Sequence, residues 1–249
     1  MNYRAIKIVL SIFYLSIITN LYAQTTYKVT YYIAEIKLQG SIDNLDEKGK
    51  HFTEQVIDYS KDVNYILIAN QDASYFESED ILRKENNSPL EDILLRMAKR
   101  FTSFNKNVYA NHKEDSIVFV RNLVNQDFTV KRDYFNFNWI LKEETKKILG
   151  FDAIKAEGNY FDLIINKKLK VEAWFIPSIP LQSGPDVFMG LPGLIAEVNL
   201  NGAVVKIKDI VSEQGLVIKL PNITKPLTQK EYESLIENLT KKIKDYADN

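Results

Sequence analysis

Gly184-Pro185-Asp186-Val187-Phe188-Met189-Gly190-Leu191-Pro192-Gly193-Leu194-Ile195 joins two β-forming runs, residues 169–176 and 194–200. Proline fixes φ near the value wanted at the second position of a turn, and glycine accepts the positive φ a type II turn requires next. Leu191-Pro192-Gly193-Leu194 therefore reads as a type II turn. Phe188, Met189, Leu191, Leu194 and Ile195 surround it with apolar side chains, whereas surface loops are usually polar. Pro177, Pro180 and Pro185 block regular ladder pairing upstream. Residues 177–193 are thus expected to form a stiff, irregular crossover folded down onto a core or lining a cavity.

Outward from that stretch, the chain reads as strands with a few helices. Residues 27–36 alternate Tyr27, Val29, Tyr31 and Ile33 with more polar neighbours, the pattern of a half-buried strand. Phe52, Val56, Ile57 and Ser60 fall at helical spacing and predict a helix over 50–61. Short strands follow over 65–69 and 74–77. Ser88-Pro89-Leu90-Glu91 is a capping box, opening a helix with an apolar stripe of Leu90, Ile93, Leu94, Met97 and Phe101. From Val108 to the crossover the pattern is a β-meander, in which Ile117, Phe119 and Arg121 alternate with Val118, Val120 and Asn122.

Beyond the crossover, Asn201-Gly202 signals a type I′ hairpin into a strand over 203–211, and 216–220 reads as one more strand. Thr228-Gln229-Lys230-Glu231 is a second capping box, before a helix with Leu235, Ile236, Leu239, Ile243 and Tyr246 on one face. The fold class these elements define is α+β: a large twisted antiparallel sheet, open or curled into a half-barrel, with helices packed on one side.

At the start of the chain, Arg4 and Lys7 precede an apolar run over 8–18, and Leu21-Tyr22-Ala23 ends in a small residue before Gln24. That is the pattern of a secretory signal peptide over residues 1–23, too short for a comfortable membrane span. Residues 24–249 are then one exported domain, placed in the periplasm or released, with no transmembrane segment in the mature chain. Cleavage would remove Arg4 and Lys7 and take the formal charge from −1 to −3. No basic patch calls for nucleic acid. The chain has no cysteine, so a disulfide framework, thiolate catalysis and Cys-ligated metal are excluded.

The residues after Trp139 carry a resemblance. Trp139, Glu144-Thr145-Lys146-Lys147-Ile148, Gly150-Phe151, Lys155-Ala156, Ala173-Trp174-Phe175, Ile179-Pro180, Gly184-Pro185 and Gly190 to Ile195 occur in one order at tight spacing. Over 139–200 the chain resembles the GLPGLI family, exported proteins of Bacteroidota without an established activity. The resemblance implies a mainly structural motif of Gly184, Pro185, Gly190, Leu191, Pro192, Gly193, Leu194 and Ile195. Members of that family often carry a cysteine where this chain has Ala153, so a thiol role does not transfer.

Chemistry is sparse. There is no Gly-x-Ser-x-Gly elbow, zinc or calcium spacing, phosphate loop or dinucleotide fingerprint, so no catalytic residue, metal or cofactor is expected. His51 and His112 read as solvated, and Asp43, Asp46, Glu79 and Asp80 sit on polar faces. Asp186 reads as an Asx-turn acceptor inside the crossover. Trp139 and Trp174 read as core residues. The functional expectation is an apolar pocket under the crossover, lined by Trp174, Phe188, Met189 and Leu191, that binds an apolar ligand or an envelope protein partner. An exported curled sheet of this kind is shared, by analogy of fold alone, with lipoprotein carriers. The alternative is an envelope hydrolase using carboxylates on the sheet, which two close acids in one pocket would favour.

Overall fold

In the computed structural model the described residues are 25–38, 40–79, 88–102, 104–123, 126–163, 166–200, 202–221 and 223–247. The signal-like segment 1–23, Asp80 and Asn201 lie outside them. Twelve strands form one sheet: β1 (Thr26–Ile36), β2 (Asn64–Ala69), β3 (Ala73–Ser78), β4 (Lys106–Asn111), β5 (Ser116–Leu123), β6 (Gln126–Asp133), β7 (Ile140–Ile148), β8 (Phe151–Asp162), β9 (Lys167–Ile176), β10 (Leu194–Asn199), β11 (Ala203–Glu213) and β12 (Leu227–Thr228). Their order is β12-β6-β5-β4-β3-β2-β1-β11-β10-β9-β8-β7. All neighbours are antiparallel except β12, which lies parallel to β6. The first strand therefore joins two meanders, pairing with β2 on one side and β11 on the other.

One face of this sheet is dry. Val29, Tyr31 and Ile33 of β1 are buried while Thr30 and Tyr32 between them are partly exposed, the two-residue period of a strand covered on one side. The central strand β10 is buried on both faces, and on its outer side Glu197 meets Lys146 at 2.6 Å and Lys206 at 3.4 Å. The sheet stays open yet curls, since residues of β5 and β6 share one space with residues of β8 and β9; the phenol of Tyr31 on β1 reaches across β11 to donate to the carbonyl of Ile195 on β10 at 2.7 Å.

Three longer helices accompany it: α1 (Glu47–Ser60), α2 (Pro89–Arg100) and α3 (Gln229–Ala247). Both capping boxes form. Ser88 Oγ accepts from the Glu91 amide at 3.3 Å and Glu91 accepts from the Ser88 amide at 2.6 Å. Thr228 and Glu231 repeat the exchange at 3.3 and 2.7 Å. Asp46 caps α1 by accepting from the Gly49 amide.

The stripe expected on α2 is rotated. Leu94 and Ala98 face the core, while Leu90, Ile93 and Met97 stand in solvent. On α3 the buried pair is Tyr232 and Ile236, with Leu235 and Leu239 partly covered; the side chains of Ile243 and Tyr246 lie outside the described set. Residues 216–220 are not a strand: Lys219 meets Glu77 of β3 at 2.7 Å, and Val217 and Leu220 are exposed.

Candidate functional site

Between β9 and β10 the crossover runs down onto the dry face. Its hydrogen bonds are largely its own: Gly190 N–H to Gln182 O at 3.1 Å, Ile195 N–H to Ser183 O at 2.9 Å, and Leu194 N–H to Ile179 O at 3.0 Å. The last of these overturns the type II turn, whose closing bond would run from Leu194 N–H to Leu191 O. Instead Gly193 N–H reaches Leu191 O at 2.8 Å, a three-residue γ-turn centred on Pro192. Gly193 is required for proximity, because a Cβ there would stand 2.4 Å from the Ile176 carbonyl oxygen. The bond of Leu194 to Ile179 ties the motif to the segment just after β9, while that of Gly193 closes the γ-turn within it.

The crossover is both plug and wall. Leu181, Ser183, Met189 and Leu191 are sealed in the core. Asp186, Val187 and Phe188 face a cavity of about 480 Å³. Phe188 rests against Phe137 at 5.2 Å, Tyr160 at 6.2 Å and Phe104 at 6.5 Å between ring centroids, so β8 and the connector before β4 meet over it. The pocket expected from sequence is corrected accordingly. Of Trp174, Phe188, Met189 and Leu191, Phe188 alone lines this cavity. Trp174 alternates with the buried Ala173 and Phe175 and points to the outer face, where Lys146 Nζ sits 4.1 Å above its ring. Met189 and Leu191 pack inward because the self-bonded crossover leaves no space beneath them. Trp139 holds this arrangement, its indole N–H donating to the Met189 carbonyl at 3.0 Å and its ring lying where a side chain on residue 158 would be, over Gly158.

The cavity opens between the two halves of the curled sheet. From one half come Phe119 and Arg121 of β5 and Arg132 of β6; from the other come Tyr160 and Asp162 of β8 and Leu169 of β9. Arg100 and Phe101 at the end of α2, Lys37 after β1 and Tyr232 of α3 complete the rim. Arg132 lies flat over Phe135, its guanidinium carbon 3.6 Å from the ring centroid, and burial draws its pKa down. Phe135 also approaches Phe119, which meets Tyr232 edge-on at 6.4 Å.

Asp186 is the singular residue. Its φ is +54°, its side chain is buried, and Oδ1 accepts from both Asn105 N–H at 3.1 Å and Asn105 Nδ2 at 2.9 Å. A further backbone bond comes from Val187, one residue on rather than the two residues of an Asx turn. The bonds to Asn105 make it a latch between elements distant in sequence. Asn105 in turn accepts from Arg121 Nη1 at 3.4 Å, so its amide stands between guanidinium and carboxylate. Burial outweighs these bonds and the Arg121 charge and pushes the Asp186 carboxyl up to about 6. Burial, with Asp162 and Asp186 adding to it, pushes the Tyr160 phenol up to about 12.

His112 is a second latch and not a solvated residue. Its ring nitrogens meet Tyr134 Oη at 2.6 Å and the buried Ser183 Oγ at 2.8 Å, and burial lowers its pKa. His51 is exposed on α1. Among the described residues no group of three or more His, Asp and Glu side chains is placed to hold a metal, and no helix is long and apolar enough to cross a membrane.

A family model described as a protein of unknown function (Porph_ging) matches residues 157–197, which run from late β8 through β9 and the crossover into β10. Two structures of PNGF-II, solved in the C2 and P21 space groups, superpose on 86% of this chain with a TM-score of 0.52 and 18% identity. The chain spans 33% of their length. At that identity the likeness concerns the fold alone. No curated protein matches the chain.

Proposed function

We propose that the chain is an exported, non-catalytic binding protein of the cell envelope, whose ligand sits in the cavity walled by the crossover and the curled sheet. The observation that carries this reading is the cavity itself. At about 480 Å³ it is within the range of small-molecule sites, and Phe119, Phe135, Tyr160 and Phe188 give it large, rigid apolar walls. Such walls favour a ligand with an apolar or aromatic body. The signal-peptide pattern of residues 1–23 supports the export half of the reading.

Native mass spectrometry of gently purified protein tests the cavity. A retained adduct that Phe188→Ala releases supports it, and a captured polypeptide mass identifies a protein partner instead of a small ligand. A bare mass for wild type with no mass gain on adding apolar probes counts against it. N-terminal sequencing of envelope protein tests export, which requires a start near Gln24; Met1 on cytoplasmic protein sinks it.

One observation favours the second reading, an envelope hydrolase. Asp162 and Asp186 line the same cavity, and a carboxyl raised to about 6 is suited to proton transfer near neutral pH. The bonds of Asp186 weigh against it, since they run to Asn105 and Val187 and tie the crossover down.

A further inference from the structure

The inner face of β5 and β6 breaks the rule that made it legible. On β5 the inward series is Ile117, Phe119, Arg121; on β6 it is Phe128, Val130, Arg132. Ladder pairing sets Ile117 opposite Arg132, Phe119 opposite Val130 and Arg121 opposite Phe128. Two guanidinium groups thus occupy strand positions that pattern assigns to the core, one at each end of an apolar patch. Placing charge there costs free energy unless something compensates it.

We propose, building on the cavity reading above, that this cavity is an anion site: Arg121 and Arg132, aided by Arg100 and Lys37, take the carboxylate or phosphate of an amphipathic ligand whose apolar body lies along Phe119, Phe135 and Phe188. Four cationic side chains line the space against two carboxylates, Asp162 and Asp186, a local positive excess in a chain whose formal charge is −1. Arg132 stacks on Phe135 and its Nε donates to the Asp133 carbonyl at 3.1 Å, which leaves the Nη atoms as the donors for a ligand, with the charges of Glu233 and Asp133 nearby. Arg121 is oriented by Asn105, which also occupies Oδ1 of Asp186. Guanidinium forks suit carboxylate and phosphate equally, so the two headgroups share one chemistry.

The test is calorimetric titration of the whole mature protein with dodecanoate, dodecyl phosphate, dodecanol and inorganic phosphate, all below micelle formation. The expected result is that both anionic amphiphiles bind at least about tenfold tighter than dodecanol. Arg121→Gln and Arg132→Gln should erase that preference, with retained dodecanol binding showing that each variant is folded. Arg132→Lys should keep part of it, because charge remains while the fork is lost. Dodecanol binding as tightly as dodecanoate overturns the anion site and leaves the cavity reading standing. Inorganic phosphate binding as tightly as dodecyl phosphate overturns the amphipathic ligand. Failure of all four to bind removes the cavity reading itself.

Discussion

Replacing Asp186 by Asn should stabilise the protein at neutral pH, an unusual outcome for a buried residue with long-range hydrogen bonds. The carboxyl titrates at about 6 in the fold, against an ordinary value of 3.8. A folded value above the unfolded one means that the native state binds the proton more tightly. For this group, stability is therefore greatest below about pH 3.8, falls as pH rises toward 6, and is flat above. The full difference corresponds to about 3 kcal/mol at pH 7, the cost of keeping an ionised acid in that site. Asparagine has no such cost, its Oδ1 can still accept from both Asn105 donors, and Asn tolerates the observed φ of +54°. The attraction to Arg121 is already contained in that figure; against the gain stands the second carboxyl oxygen as an acceptor for Val187, worth about 1–2 kcal/mol. The net expectation is a gain of about 1–2 kcal/mol at pH 7 that disappears or reverses near pH 4. Urea unfolding followed by the fluorescence of Trp139 and Trp174 at several pH values measures it, because the other titrations cancel between variant and wild type. A difference that does not change with pH, or a larger loss for Asp186→Asn at pH 7 than at pH 4, would refute the assignment of burial as the dominant influence.

Gly193→Ala should cost about 3 kcal/mol in chemical denaturation, since its Cβ meets backbone atoms of Ile176 and Pro177 that cannot swing away. Gly193→Asn should fare no better than Ala; a clear advantage for Asn would reinstate a left-handed turn residue. Phe188→Ala should cost about 3–5 kcal/mol by removing the ring shared by Phe104, Phe137 and Tyr160. Ser88→Ala should cost about 1 kcal/mol and raise amide exchange in the first turn of α2, leaving the cavity untouched; unaltered exchange there would show that the cap is idle.

What could be read from the sequence is what is decided within a few residues. Ser88 and Glu91, and likewise Thr228 and Glu231, satisfy each other's amides three positions apart, so both helix starts were visible in the chain. Strand alternation placed Val29, Tyr31 and Ile33 on one face, and three prolines marked 177–193 as a segment outside the ladder. The same local logic misplaced the pocket, because it could not tell the outward Trp174 from the inward Phe188, nor see that Leu194 N–H would go to Ile179. Arg121 and Arg132 did leave a trace, as charges in the apolar register of β5 and β6, though that trace says nothing of what they would face. Only the curl of the sheet decides that. It brings β5 and β6 opposite β8 and β9 although six strands lie between them in the sheet. The Asn105–Asp186 latch spans 81 residues and the Tyr31–Ile195 bond 164, and contacts at such separation follow from strand pairing and the burial of one shared face. Local pattern carried most of the elements, though not the absence of a strand at 216–220 or the face that α2 buries, and packing alone brought two arginines, two acids and a cluster of aromatic rings into one space.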